Sequence, residues 1–183
     1  RAGIVHRLDK NTSGLLVVAK TLEAQTNLVR QLQNRTMKRD YVALVHGHVQ
    51  FDGQVNLPIG RHPVQRVKMA VNKKGKEART YYRVKEKING YTLIQCSLHT
   101  GRTHQIRVHM LSIGHPLVGD PTYGTKPKKS SEEIRKLITD FPRQALHAKY
   151  LELIHPDTGQ KVMWESELPK DFDELLLTLR KAS

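Results

Sequence analysis

The chain has 183 residues, 38% hydrophobic and 26% charged, with 31 lysines and arginines against 17 acidic residues and a net charge of +14. That length suits a single domain over 1–183 that buries its own core without disulfides or metals, and no apolar run is long enough to span a bilayer, which excludes membrane insertion. A pI near 10.0 favours a polyanionic partner, nucleic acid ahead of other acidic surfaces, over a merely soluble basic domain.

The charge recurs along the chain, in Arg61, Arg66 and Lys68, then Lys73, Lys74 and Lys76, then Lys126, Lys128 and Lys129, so a folded surface carries it rather than a tail. The lone Cys96 permits no internal disulfide and fits a reducing cytoplasm. None of the ten histidines pairs with a cysteine or carboxylate at a strong zinc spacing, so no metal is expected. A start at Arg1 rather than methionine predicts a piece of a longer protein.

In chain order, Leu15 to Ala19 reads as a fully buried strand, and Thr21 then offers an N-cap to a helix with Leu22, Leu28, Val29 and Leu32 on one face, ending near Arg35. Lys38 to Val49 predicts a central strand. Ala78 to Ile88 and Tyr91 to His99 flank Asn89-Gly90, a dipeptide suited to a type I′ hairpin turn. Thr103 to Ile113 predicts a helix with Ile106, Met110 and Ile113 on its apolar face. Ser130 to Phe141 predicts another, opened by a Ser130/Glu133 capping box. A second hairpin joins Leu146–Ile154 to Lys161–Glu165, and a last helix runs from Pro169 to Lys181. Hairpins interspersed with helices make an α+β domain, its mixed, largely antiparallel sheet flanked by helices.

Three stretches are more polar than core or ordinary turn requires. In Val5 to Gly14 the single carboxylate of Asp9 is flanked by cations, which would favour its charged form as nucleophile or base. A surface loop with a local ion pair is the plainer alternative. In Thr100 to His109, at a turn entering a helix, His104 and Arg107 share a polar face that could meet a phosphate, a carboxylate or only solvent. In Lys38-Arg39-Asp40-Tyr41 a phenol enters a buried strand, either as ordinary core or as a general base or stacking surface in a cleft.

Together these stretches resemble the RluA-type family of ribosomal and transfer RNA pseudouridine synthases, most closely its RluD branch. The likeness lies in His6-Arg7-Leu8-Asp9 with Thr12-Ser13-Gly14-Leu15; in Lys38, Tyr41, Ala43 and Gly47; and in Thr100-Gly101-Arg102-Thr103-His104-Gln105-Ile106-Arg107-Val108-His109. His115 to Asp120 and Gln144 to Ala148 match as further landmarks.

The resemblance implies a pseudouridine synthase catalytic fold lacking the family's strands upstream of the signature and the branch's small amino-terminal RNA-binding domain. It implies isomerisation of uridines in structured RNA, most readily a large-subunit ribosomal RNA stem-loop, with no cofactor, by a cytoplasmic monomer. Asp9 would attack the uridine at C6 or at the ribose C1′, and Arg107 would pair with it. Tyr41 would pack on the base and take the C5 proton, and Arg7 would fill the gap left by the everted base. Arg102, His104, Lys73 and Lys74 would contact RNA. An aromatic content of 5% leaves few stacking platforms, so shape and phosphate contacts should dominate. The competing readings are a catalytically silent RNA-binding module, a synthase acting on transfer RNA, and a nuclease or glycosylase built on Asp9, His104 and His109.

Overall fold

The computed structural model describes residues 2–182. Its element order is β1 (Ser13–Gly14), α1 (Leu22–Gln33), β2 (Lys38–His46), β3 (Gly53–Asn56), β4 (Ile59–Arg61), β5 (Met69–Val71), β6 (Arg79–Ile88), β7 (Tyr91–Leu98), α2 (Gln105–Ser112), α3 (Glu132–Asp140), β8 (Leu146–Ile154), β9 (Lys161–Glu165) and α4 (Lys170–Lys181). Seven strands form one sheet in the order β1-β8-β2-β7-β6-β3, with β9 also paired to β8, while β4 and β5 make a separate hairpin. Only β1 with β8 is parallel; the other pairs are antiparallel, as expected for a mixed, largely antiparallel sheet.

β2 is central because both of its faces are covered. Leu44, with Val42, belongs to an apolar cluster with Phe141, Phe172, Leu175, Leu176 and Leu179 of α3, α4 and their surroundings. On the other face Tyr41, Ala43 and Val45 pack with Ile94, Ile106, Met110 and Leu117, against α2. The period of two along the strand produces this division, and it delivers Tyr41 to the α2 side. The β6–β7 turn is built as the dipeptide predicts, with φ of 47° at Asn89 and 89° at Gly90. The Asn89 amide also donates to the carbonyls of Leu179 and Ala182, fastening the hairpin to the end of α4. Cys96 is fully buried as packing.

Several elements differ from their sequence patterns. Leu15 to Ala19 is an extended edge segment, not a buried strand. Leu16 and Val18 are 44% and 52% exposed, and the segment is joined to its neighbours by an isolated bridge from Val18 to Ile4 and by the Leu15 N–H to the Ala148 carbonyl; among the described residues no strand covers its outer face. Gln31 rather than Leu22 is buried on α1, because its side-chain amide clips the backbone of Ile154 through both its nitrogen and its oxygen. α3 is capped by Ser131, whose hydroxyl accepts from the Ile134 N–H, so the Ser130/Glu133 box does not form. α2 begins at Gln105 rather than Thr103, since His104 adopts a left-handed conformation at φ 58°. Its polar side is not a solvent face: every residue from Gln105 to Met110 is buried.

Two outcomes follow from this packing. Phe172 is fully buried and meets Phe141 edge-on, so Phe172→Ala should cost about 3–5 kcal/mol in urea unfolding. A loss within experimental error of zero would mean that α4 is not part of the core. His6 and His46 are each held near 4, first by burial and then by the charge of Arg39 and of Lys128 respectively. Between about pH 6.5 and pH 4 the unfolded chain therefore binds protons there that the folded chain refuses, so stability falls with acidification across that window. His46→Gln should flatten the fall seen in denaturation midpoints, and an unchanged slope would contradict it.

Candidate active site

The Asp9 loop precedes β1 in the chain and is fastened by residues far away in sequence, Arg143 and Gln144. The Thr12 N–H donates to the Asp9 carbonyl at 3.0 Å, closing a turn that carries Asn11 at φ 68°. Gln144, almost wholly buried, donates its amide to the Lys10 carbonyl at 2.7 Å and to the Thr12 hydroxyl at 3.0 Å, while Arg143 donates to the Asn11 carbonyl at 3.1 Å. A loop tied at three consecutive carbonyls or hydroxyls has little freedom to move the Asp9 side chain.

That side chain is 14% exposed, and its Oδ2 lies 3.3 Å from Nη1 of Arg107. Arg107 is itself buried, and its other edge grips Asp120 in a fork, Nε to Oδ2 at 2.7 Å and Nη2 to Oδ1 at 2.9 Å. Asp120 is fixed in turn by the N–H groups of Thr122 and Tyr123, at 2.9 and 3.0 Å. The Arg107 guanidinium lies 5.1 Å from the centre of the Tyr123 ring. The Tyr123 hydroxyl accepts from the Met69 N–H and meets Nδ1 of His104 at 2.7 Å.

Electrostatics follow the geometry. Burial alone would push the Asp120 carboxyl up, but hydrogen bonds from Arg107 and from the Tyr123 and Thr122 N–H groups outweigh it and hold the group below the ordinary carboxylate range. Burial likewise opposes the charge on Arg107, yet Asp120 and then Asp9 keep it firmly protonated. A buried guanidinium with a dedicated counter-ion can thus present its remaining N–H groups to a second carboxylate without rearranging.

A cleft of about 330 Å³ opens over this network, lined among others by Arg7, Asp9, Arg39, Tyr41, Arg102 and His104. Burial pushes the Tyr41 phenol up to about 12, with Arg39 pulling it down and Asp9 pushing it up further, so the hydroxyl is protonated at neutral pH. Arg7 is exposed at the rim. Arg102 donates through Nε to the Glu77 carbonyl at 2.7 Å, and its backbone N–H is held by Gln105, so it is both a wall and a brace. Lys73 and Lys74 sit on an exposed turn after β5 and do not line the cleft. His109 is fully buried between the Thr80 hydroxyl and the Leu57 carbonyl, and it too lies outside the cleft lining.

Asp120, Tyr123 and Gln144 join the site without a local pattern that marks them as participants, although Asp120 and Gln144 fall inside the two family landmarks His115 to Asp120 and Gln144 to Ala148. Of the two cations before Tyr41, alternation along β2 turns Lys38 outward, 65% exposed beside Glu152, while Arg39 shares the cleft with Tyr41. Among the described residues no group of three or more His, Cys, Asp or Glu is placed to hold a metal ion.

Comparison with known proteins assigns a family to this arrangement. The family model described as RNA pseudouridylate synthase matches residues 1–112. Ribosomal large subunit pseudouridine synthase D of Nitrosomonas europaea is 62% identical over 181 residues, which is 98% of this chain and 52% of that protein. The protein of the same description from Escherichia coli K12 is 51% identical over 183 residues, 98% of this chain and 56% of its own length. The chain thus spans about half the length of the curated relatives it matches. Among solved structures, human RNA Pseudouridylate Synthase Domain Containing 1 superposes with a TM-score of 0.71 at 28% identity, over 96% of this chain and 79% of that one. Human RNA Pseudouridylate Synthase Domain Containing 4 gives 0.78 at 26% identity, over 97% and 75%. With the matched region containing Asp9, Tyr41 and Arg107, the chain belongs to the RNA pseudouridylate synthase family.

Proposed function

We propose that this chain is a single catalytic domain, spanning 1–183, that isomerises uridine to pseudouridine in a stem-loop of large-subunit ribosomal RNA, acting as a cytoplasmic monomer. The observation that carries the reading is the Asp9 carboxylate, 3.3 Å from a buried arginine whose other edge is locked to Asp120, at the floor of a cationic cleft. The names of the relatives support ribosomal over transfer RNA as the substrate.

The reaction exchanges the N1–C1′ bond of uridine for a C5–C1′ bond. N1 gains a proton, C5 loses one, and no oxidant or group donor is consumed, so the domain needs no cofactor. Asp9 supplies a transient covalent bond, to the base at C6 or to the ribose at C1′, that holds that fragment on the enzyme while the N1–C1′ bond is broken, and the carboxylate is expelled again as the C5–C1′ product is completed. Arg107 offsets the charge that Asp9 brings into a partly buried site and fixes which oxygen faces the substrate. Tyr41 packs against the base. Its hydroxyl makes no hydrogen bond with the described residues and is protonated at neutral pH, so it takes up the proton leaving C5 only by passing its own to solvent in the same step. Everting a uridine costs a few kcal/mol of stacking, least in a loop, and Arg7 at the rim is placed to occupy the space it leaves.

Asp9→Ala should lower single-turnover pseudouridine formation by on the order of a thousandfold or more while RNA affinity stays within about threefold of wild type. Product formation near the wild-type rate, or strand scission by the wild-type chain, would discard the reading. Asp120→Asn removes the anchor of Arg107 without touching the cleft. It should slow turnover about ten- to a hundredfold with little change in RNA affinity, because a small misplacement of Arg107 misaligns Asp9. An unchanged rate would mean that Asp120 serves stability alone.

A further inference from the structure

Among the described residues the polar head of Arg39 has no protein acceptor. Arg107 faces Asp120 and Asp9, Arg143 faces Asp171, Arg102 donates to the Glu77 carbonyl, and Arg79 reaches the Tyr81 hydroxyl. Among the described residues Arg39 makes no ion pair and no hydrogen bond, and its Nε is buried without a partner. Burial works against its charge, as expected of a guanidinium taken out of water without a counter-ion.

The position of this group is defined. Arg39 and Tyr41 share one face of β2 and both line the cleft over Asp9. The head of Arg39 lies across Gly101, in the turn leading into α2: a Cβ on Gly101 would sit 2.7 Å from Nη1. Gly101 has no positive φ to explain it, so its role here is space for that guanidinium. His6 stands beside it in the lining. The Val17 N–H donates to Nε2 of His6 at 3.1 Å, which leaves the proton of the neutral ring on Nδ1, a second buried donor without a partner. The cleft also gathers Arg7, Arg35 and Arg102, against one carboxylate, Asp9, which is already committed to Arg107. Such a set of donors suits an anion, and a neutral uracil ring brings none. A nucleotide in RNA brings a phosphodiester on each side of its ribose.

We propose that Arg39, cradled by Gly101 and flanked by His6, is the receptor for a backbone phosphate next to the everted uridine. The inference rests on the RNA-modifying reading above and deepens it. The guanidinium is left without a protein acceptor so that a phosphodiester can supply one, in the two-pronged geometry that arginine offers and lysine does not. Nucleotide capture and neutralisation of the buried cation are then the same event, which makes Arg39 a positioning residue for the base above Asp9. Uridine lacking its flanking phosphates would enter the cleft without completing it.

The test is a binding cycle on the 183-residue chain, with a stem-loop RNA carrying the target uridine and methylphosphonates placed singly at the phosphates around that uridine. One flanking position should weaken wild-type binding about ten- to a hundredfold, the range of a charge-assisted hydrogen bond. Arg39→Met should be weakened by a similar factor and be indifferent to that same replacement. Arg39→Lys should recover part of the loss. Gly101→Ala, which keeps the charge but displaces the head, should reproduce the loss and lose the same position-specific sensitivity. Wild-type affinity in Arg39→Met, or losses that simply multiply at every position, would overturn the assignment. If Arg39→Met does not fold, Arg39→Lys and Gly101→Ala decide by the same criterion. Binding is read without turnover, so failure of the wild type to make pseudouridine would count against the proposed reaction and leave this cycle to stand or fall by itself.

Discussion

One guanidinium between two carboxylates organises the site. Arg107 gives one edge to Asp120 and turns Nη1 toward Asp9. A lone Asp9–Arg107 pair in a cleft that opens to solvent would be free to rotate apart. With Asp120 pinned by two backbone N–H groups and the cation laid against the Tyr123 ring, the orientation of Arg107 is settled before any substrate arrives. The distances are unequal: the fork of 2.7 and 2.9 Å to Asp120 anchors Arg107, and its contact to Asp9 is longer, at 3.3 Å.

The fold exists, for this purpose, to bring three distant stretches to that guanidinium. β2 carries Arg39 and Tyr41 from the centre of the sheet, α2 carries Arg107 across its face, and the Asp9 loop is tied to the sheet through Gln144 and Arg143. Gln105 stiffens the turn before α2: it accepts from the Thr100 hydroxyl and the Arg102 N–H and donates to the Arg79 carbonyl and the Thr80 hydroxyl. Gln144, Arg143 and Gln105 thereby fix the register in which Asp9, Tyr41 and Arg107 meet.

What could be read from the sequence divides along physical lines. The Asn89-Gly90 hairpin, the Thr21 cap and the central strand were legible because turn chemistry, capping and two-sided burial leave local signatures. Leu15 to Ala19 misled because its apolar content says nothing about which neighbours are present to cover it. For α2 the helical period left open whether its polar side met solvent, phosphate or carboxylate. Its buried polar residues are partnered from other elements, Gln105 by Thr80 and Thr100, Arg107 by Asp120 and Asp9, and His109 by Thr80, contacts that no helical period records. The pairing of Asp9 with Arg107 was expected from family likeness, whereas the fork from Arg107 to Asp120, and the place of Arg39 in the cleft, depend on long-range placement.

If Asp9, held by an anchored Arg107, meets an everted uridine in this cleft, a crystal structure of the Asp9→Asn chain bound to a stem-loop with its target uridine unreacted will show it. The base should lie out of its stack and against the Tyr41 ring, with residue 9 within contact distance of the uridine and the Arg107–Asp120 fork intact. A uridine still stacked in the RNA, or RNA seated on another face with the cleft open, would contradict it.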